Sequence, residues 1–156
     1  QQLPEFVVAL RASCPTAARL TISVDVQGHE ADQIAGVKDL LPHIDLFKGN
    51  SAEAEAVSGL TSTADELAIL AGDGRAAVIT NGARGADWAD KYGTGHVEAH
   101  VIETKDATGA GDAFCAALLA SWVLGEEIGF ATARGCAAGA LNCMRLGGCE
   151  EPLTAD

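Results

Sequence analysis

Short β-branched runs alternate with helix-like segments through this chain, and that alternation limits the folds open to it. Arg19–Val26 (RLTISVDV) alternates as a strand does, and Ile44–Phe47 and Ala76–Thr80 (AAVIT) are short apolar runs of strand length. Between them lie helix-like stretches at Ala31–Leu41, stopped by Pro42, at Ser51–Val57, ending at Gly59, and at Thr63–Ala71, stopped by Gly72 and Gly74. Strands separated by helices pair in parallel, because only a crossover of that length returns the chain to the same edge. The expectation is an α/β fold with a mostly parallel sheet flanked by helices. Ligands of such sheets sit at the carboxyl ends of the strands. Asp25, Asn50, Thr80 and the loop before Asp112 all fall near such ends.

The helix starts carry their own signals. Ser51 is expected to cap its helix, and Thr63 followed by Glu66 has the spacing of a capping box. Leu3–Arg11 has the pattern of a helix end. Asn81–Gly85 (NGARG) is expected to be a tight turn. Ala86–Lys91 and His96–Ile102 are expected to pair as strands around a Tyr92–Gly95 turn. Ala113–Leu124 and Phe130–Met144 complete the chain as two apolar helices. Neither a repeat nor an internal linker interrupts this order, so residues 1–156 are expected to form a single domain.

Charge narrows the partners. The net charge is −12, with 10 Lys and Arg against 22 Asp and Glu. A nucleic-acid surface needs a basic face, which this balance argues against. A nucleotide remains compatible, since a local loop and Mg²⁺ can hold phosphate within an acidic protein. No apolar run reaches membrane-span length, so no membrane partner is expected. Cys14, Cys115, Cys136, Cys143 and Cys149 are odd in number and lack close pair spacing. They fit reduced thiols and a cytoplasmic location.

The run Asp106-Ala-Thr-Gly-Ala-Gly-Asp112-Ala-Phe114 carries the most chemistry. Unpaired N–H groups at a helix start form an anion site, and glycines let a phosphate come close. Asp112 alone would be an ordinary helix-start residue. An anion loop with a carboxylate beside it makes sense if that carboxylate accepts a proton while the loop holds a transferring phosphoryl group. His96, Glu98 and His100 could share one strand face, but a fourth metal ligand is not evident. Trp88 and Trp122 are expected to pack rather than to stack on bases.

Asp106–Asp112 resembles the C-terminal signature of the ribokinase-like, PfkB-type carbohydrate kinases. Ala107 stands where that signature often has a hydroxyl residue or Pro. Asn50-Ser-Ala-Glu53 resembles the family's Asn-x-x-Glu element, and Val78-Ile-Thr-Asn-Gly-Ala-Arg-Gly85 resembles its strand–turn element beside the nucleotide. The three motifs occur in family order, and the resemblance covers residues 19–152.

The resemblance implies an ATP-dependent kinase of a sugar or nucleoside hydroxyl, with ATP and Mg²⁺ as cofactors. Asp112 would be the general base. The N–H groups of Gly109, Ala110 and Gly111 would form the anion hole. Asn50 and Glu53 would organise Mg²⁺ through water, though ordinary helix capping would also account for them. Thr80, Gly82 and Gly85 would lie along the nucleotide, unless they are only a strand end and turn glycines. Asp106 and the Thr108 carbonyl occupy positions that hold a monovalent cation such as K⁺ in some relatives. Cys136 falls where relatives often carry Asn or His near the adenine, and it reads equally as a small core residue. Asp25 is open between a ligand contact and a strand-end turn.

Family members are much longer. Their N-terminal half supplies a Gly-Gly signature, most acceptor contacts and a β-lid, none of which is recognisable here. The resemblance therefore implies a truncated ribokinase-like fold, completed by an N-terminal half or by self-association as a homo-oligomer. A non-catalytic nucleotide-binding pseudokinase or regulatory subunit is the alternative reading. Ribose, fructose, ketodeoxygluconate, inositol and nucleosides all stay open as acceptors.

Overall fold

A computed structural model of the chain describes residues 2–14, 20–27 and 31–147. Arg19, where the sequence starts its first strand, residues 148–152 at the end of the resemblance, and Cys149 lie outside the described residues. The described elements are α1 (Gln2–Ser13), β1 (Ser23–Asp25), α2 (Ala31–Leu40), β2 (Leu46–Asn50), α3 (Ser51–Ser58), α4 (Thr63–Leu70), β3 (Ala76–Thr80), β4 (Ala86–Asp90), β5 (Gly93–Val97), α5 (Ala110–Val123) and α6 (Ile128–Cys143). The five strands form one sheet in the order β1-β2-β3-β4-β5, and β1, β2 and β3 run parallel. The fold is α/β, a mostly parallel sheet flanked by helices. Two compact units divide the chain: residues 1–80 with 89–93, and residues 81–88 with 94–156.

In the first unit, β2 and β3 are buried along their first four residues each. Strands covered on both faces lose the polar alternation of half-exposed ones, which is why AAVIT carries no polar residue before its end. Phe47, Leu46, Val78 and Ile79 are all at 0% exposure. Phe47 and Ile79 join Val26, Ile34, Leu40, Val57, Leu67 and Leu70 from neighbouring elements in one apolar cluster. Lys48 is buried in the middle of β2 and its Nζ donates to Asp25 Oδ1 at 2.8 Å, opposite its register partner in β1. Asp25 is thus a strand-pairing carboxylate here.

Backbone groups at the edges of this unit are also paired. The Asp45 carboxylate accepts the Ile22 N–H at 2.8 Å and pairs with the Arg11 guanidinium from α1. Arg75, at 7% exposure, closes the end of α4: its Nε donates to Leu70 O at 3.2 Å and its Nη2 to Ile69 O at 3.3 Å. These are two of the last carbonyls that a helix cannot satisfy internally.

Both expected caps move by one residue. Asn50, not Ser51, caps α3. Its Oδ1 accepts the Glu53 N–H at 3.0 Å while Glu53 Oε2 accepts the Asn50 N–H at 2.7 Å, a reciprocal box that Ser51 is one position too late to make. Ser62, not Thr63, is the cap residue before α4, with no side-chain cap bond, so Glu66 falls beyond the capping position. Glu66 is buried instead, and burial, reinforced by the nearby Glu55 charge, raises its carboxyl above the usual range.

In the second unit, α5 and α6 pack closely because α6 carries glycines four residues apart. A Cβ on Gly135 would come within 2.9 Å of the Phe114 ring, and one on Gly139 within 3.2 Å of Ala110 O. The β4–β5 hairpin, whose residues 89–93 belong to the first unit, reverses earlier than expected. Asp90 Oδ1 accepts the Tyr92 and Gly93 N–H groups at 2.8 and 3.1 Å, which turns the chain at Lys91-Tyr92. Gly93, Thr94 and Gly95 therefore belong to β5, and β5 ends at Val97 rather than continuing to Ile102. Trp88 packs as expected: Cβ atoms on Gly95 and Gly129 would meet its indole at 2.6 and 2.9 Å.

Truncating Phe47 to Ala should remove the largest fully buried side chain and cost about 3–5 kcal/mol. Urea unfolding of the wild type and Phe47→Ala reads this as a lowered midpoint at unchanged slope, and a loss under 1 kcal/mol would contradict the core described.

Candidate functional site

The carboxyl ends of β2 and β3 bring two sequence-predicted residues side by side. Asn50 and Thr80 are register partners, the last residue of each strand. Thr80 Oγ1 donates to Gly49 O at 3.4 Å, so its hydroxyl is tied to β2. Glu53 joins Asn50 through the capping box. Glu53 is 5% exposed, not a solvated first-turn residue. The box occupies Asn50 Oδ1 and Glu53 Oε2. A carboxylate has a second oxygen and spare lone pairs, which suits a hydrogen bond to a water on Mg²⁺ better than direct ligation. Among the described residues, no group of three or more His, Cys, Asp or Glu could hold a metal directly. The donor set thus fits Mg²⁺ held through its water shell.

Next along the chain, Asn81–Gly85 forms the expected turn as one short 3₁₀ segment, Gly82–Arg84. The Asn81 N–H donates to Gly85 O at 2.8 Å, and the Gly85 N–H to Gly82 O at 3.0 Å. Gly85 has φ 90° and ψ −140°, and a Cβ there would sit 1.9 Å from Val97 O. Conformation and space both require glycine. Asn81 Nδ2 donates to Asp87 Oδ2 at 2.6 Å, and Asp87 Oδ1 meets His96 Nδ1 at 2.8 Å. His96 is therefore engaged with Asp87, while Glu98 and His100 lie beyond the end of β5 and share no strand face with it.

The loop before α5 is built on the end of α6. Cys143 O accepts the Lys105 N–H at 2.8 Å and the Asp106 N–H at 3.3 Å. Asn142 Nδ2 donates to Thr108 O at 2.7 Å. Asp106 holds the loop from inside: its Oδ1 accepts the Thr108 N–H at 2.9 Å and its Oδ2 the Gly147 N–H at 3.1 Å. The Thr108 N–H first, then its hydroxyl and the Gly147 N–H, keep the Asp106 carboxyl below the usual carboxylate range. The two groups matched to a cation position, Asp106 and the Thr108 carbonyl, are thus both engaged in the loop's own hydrogen bonds.

Gly109 then takes the left-handed conformation, φ 77°, and caps α5. The helix starts at Ala110, three residues earlier than the apolar pattern suggests, so Asp112 stands in its first turn. The first intrahelical bond runs from the Ala113 N–H to Gly109 O at 2.9 Å. Of the three amides assigned to an anion hole, that of Ala110 donates to Ala107 O at 3.2 Å. Asp112 is exposed, and a carboxylate there is favoured by the helix dipole. Cys136 is buried in α6, and burial pushes its thiol up, as for a core cysteine.

Compared with known protein families, residues 1–155 match the pfkB family of carbohydrate kinases. The chain belongs to that family. The match is wider than the motif-bearing stretch, since it begins at residue 1. Among solved structures, a fructokinase double mutant from Vibrio cholerae O395, bound to fructose, ADP and potassium ion, is 26% identical with TM-score 0.72, over 81% of this chain and 45% of that one. A protein assigned provisionally as ribokinase II from E. coli, in complex with ATP and Mg²⁺, is 26% identical with TM-score 0.75, over 85% and 45%. Aminoimidazole riboside kinase from Salmonella enterica, complexed with aminoimidazole riboside and an ATP analog, shares the fold at 22% identity and TM-score 0.75, over 93% and 51%. The chain spans about half the length of these structures. No helix among the described residues is long and apolar enough to cross a membrane.

Asn142, Gly139 and the Asp87–His96 pair escaped the sequence reading. A buried polar residue in the last turn of an apolar helix was the available signal for Asn142. Replacing it with Ala should release Thr108 O, cost about 1 kcal/mol and speed amide exchange across residues 105–109. Asp106 makes a pH prediction. Its carboxyl is lowered in the folded chain, so its stabilisation is complete above the ordinary Asp pKa of about 3.9 and fades as pH falls through the lowered value. The Thr108 and Gly147 amide resonances should titrate together below that range, and titration above it would contradict the anchoring.

Proposed function

We propose that the chain is the catalytic, nucleotide-binding C-terminal part of an ATP-dependent phosphotransferase acting on an alcohol group of a sugar or nucleoside. The single observation that carries this is the placement of Asp112 in the first turn of α5, the helix that starts directly after the left-handed Gly109. Family membership supports it, as do relatives whose structures hold fructose or aminoimidazole riboside beside a nucleotide. The span of about half of those relatives supports reading acceptor selection as supplied by residues outside this chain, from an N-terminal half or a second copy. An odd number of cysteines without close pair spacing fits action in the cytoplasm.

In this reading Asp112 accepts the proton of the acceptor hydroxyl as that oxygen bonds to the γ-phosphorus and the bond to ADP breaks. The amides of Gly109, Ala110 and Gly111 receive the migrating phosphoryl oxygens. The Ala110 N–H exchanges its 3.2 Å bond to Ala107 O for one of them. The α6 anchors fix the loop beforehand, so apart from that exchange the donors need little reorganisation. Thr80, Gly82 and Gly85 border the nucleotide, and Cys136 lies on the adenine side. Asn50 and Glu53 position the hydration shell of Mg²⁺, which when bound neutralises phosphate charge. Asp106 and the Thr108 carbonyl form the cation position, where their oxygens keep lone pairs beside the loop's own hydrogen bonds.

The test is transfer from MgATP to fructose, ribose or nucleosides by the chain joined to the N-terminal half of a pfkB-family kinase, and by the same protein carrying Asp112→Asn. Loss of a general base should lower turnover about 10²–10⁴-fold with MgATP affinity retained. Binding of MgATP with no transfer by either protein would favour a non-catalytic nucleotide-binding subunit instead. Equal turnover by both would remove Asp112 from the role of base.

A further inference from the structure

Asp87 joins two segments that the kinase chemistry does not otherwise explain. Its Oδ2 accepts from Asn81 Nδ2 at 2.6 Å and its Oδ1 meets His96 Nδ1 at 2.8 Å. Asn81 opens the Gly82–Arg84 turn, and its backbone ties the far end, with its N–H on Gly85 O and its O accepting the Arg84 N–H at 3.2 Å. Gly85 closes the turn against the backbone that carries His96, since an added Cβ would meet Val97 O at 1.9 Å and Ala99 N at 2.8 Å. The turn is therefore gripped at its first residue by Asp87 and pressed at its last against the segment from β5.

We propose that His96, acting through Asp87 and Asn81, is a positioning residue that holds the Asn81–Gly85 turn in place and makes its order depend on pH. The consequence for nucleotide affinity rests on the reading above that Gly82 and Gly85 border the nucleotide. The charged groups facing His96 are Asp87 from β4 and Glu98 Oε2, 3.7 Å from its Nε2, after β5. The hydrogen bond to Asp87 leads in raising its pKa, and Glu98 and the Arg84 backbone act in the same direction against partial burial. A charged imidazole donates from both nitrogens and a neutral one from a single nitrogen. The protonated ring thus grips Asp87 and also favours the Arg84 backbone and Glu98, whereas the neutral ring gives up one side. Because the folded pKa is raised, the charge-assisted part of the grip is complete below the ordinary His pKa of about 6.5 and is lost as pH rises through the raised value, which leaves only the neutral ring's single hydrogen bond.

The experiment follows three readouts on the full chain from pH 5.5 to 9: the His96 ring titration by NMR, exchange protection of the Arg84 and Gly85 amides, and MgATP affinity. The expected result is a His96 titration above the ordinary range with a coincident loss of turn protection. That loss should be about two- to fivefold, the scale of an exposed ion pair. MgATP should weaken by a similar factor over the same interval. His96→Gln should remove both steps, and Asp87→Asn should lower the His96 titration toward the ordinary range. The wild-type titration stands even if a variant fails to fold. A His96 titration at or below the ordinary range, or turn protection that is flat across it, would overturn the proposal. A protection step with flat MgATP affinity would sustain the positioning role and overturn instead the nucleotide-side reading of the turn.

Discussion

Burial of β2 and β3 on both faces is the constraint from which the first unit follows. Two strands with every early residue out of water must satisfy their backbone groups with each other, and parallel pairing does so. Apolar side chains then have one place to go, against the helices that connect the strands. The one charged residue inside β2, Lys48, is tolerated because register sets Asp25 beside it. Removing one partner would strand a buried charge. The same register makes Asn50 and Thr80 neighbours where both strands stop being buried. Polar chemistry starts at that boundary because the apolar core ends there.

The second unit obeys the same accounting with different parts. A helix leaves its last carbonyls without internal partners. At the end of α6, Cys143 O is met by two loop amides, and the Asn142 side chain reaches the loop in the opposite sense. The loop, in turn, delivers Gly109 in the left-handed conformation that starts α5. Close approach of the two helices at Gly135 and Gly139 fixes where that start lies on α6. In the proposed reading, donors to an anion are useful only if they are held before it arrives, and these contacts would hold the loop that carries them.

Sequence patterns revealed the elements better than their ends. AAVIT and the long apolar helices declared themselves, because burial on all sides leaves little choice of residue. Helix starts did not. Ser51, Asn50 and the pair Ser62 and Thr63 are all acceptable caps, and only the backbone decides which one stands at the turn. Asn50 and Glu53 were legible as a motif, but their mutual capping box and the burial of Glu53 depend on the turn after β2. The hairpin was misplaced because Gly93-Thr-Gly95 has the composition of a turn, whereas Gly95 is glycine to accommodate the Trp88 indole. Asn142 and His96 act through residues 34 and 9 positions away, and such partners have no local signature.

In the proposed function, the loop held by α6 presents the amides at the start of α5 to a phosphate. Amide chemical shifts of the ¹⁵N-labelled chain, followed as MgATP is added to saturation, test it most directly. The Gly109, Ala110, Gly111 and Asp112 amides should move together, with one affinity, while the amides inside β2 and β3 stay fixed. Saturation with those four amides unmoved, or an absence of any nucleotide-dependent shift, would contradict it.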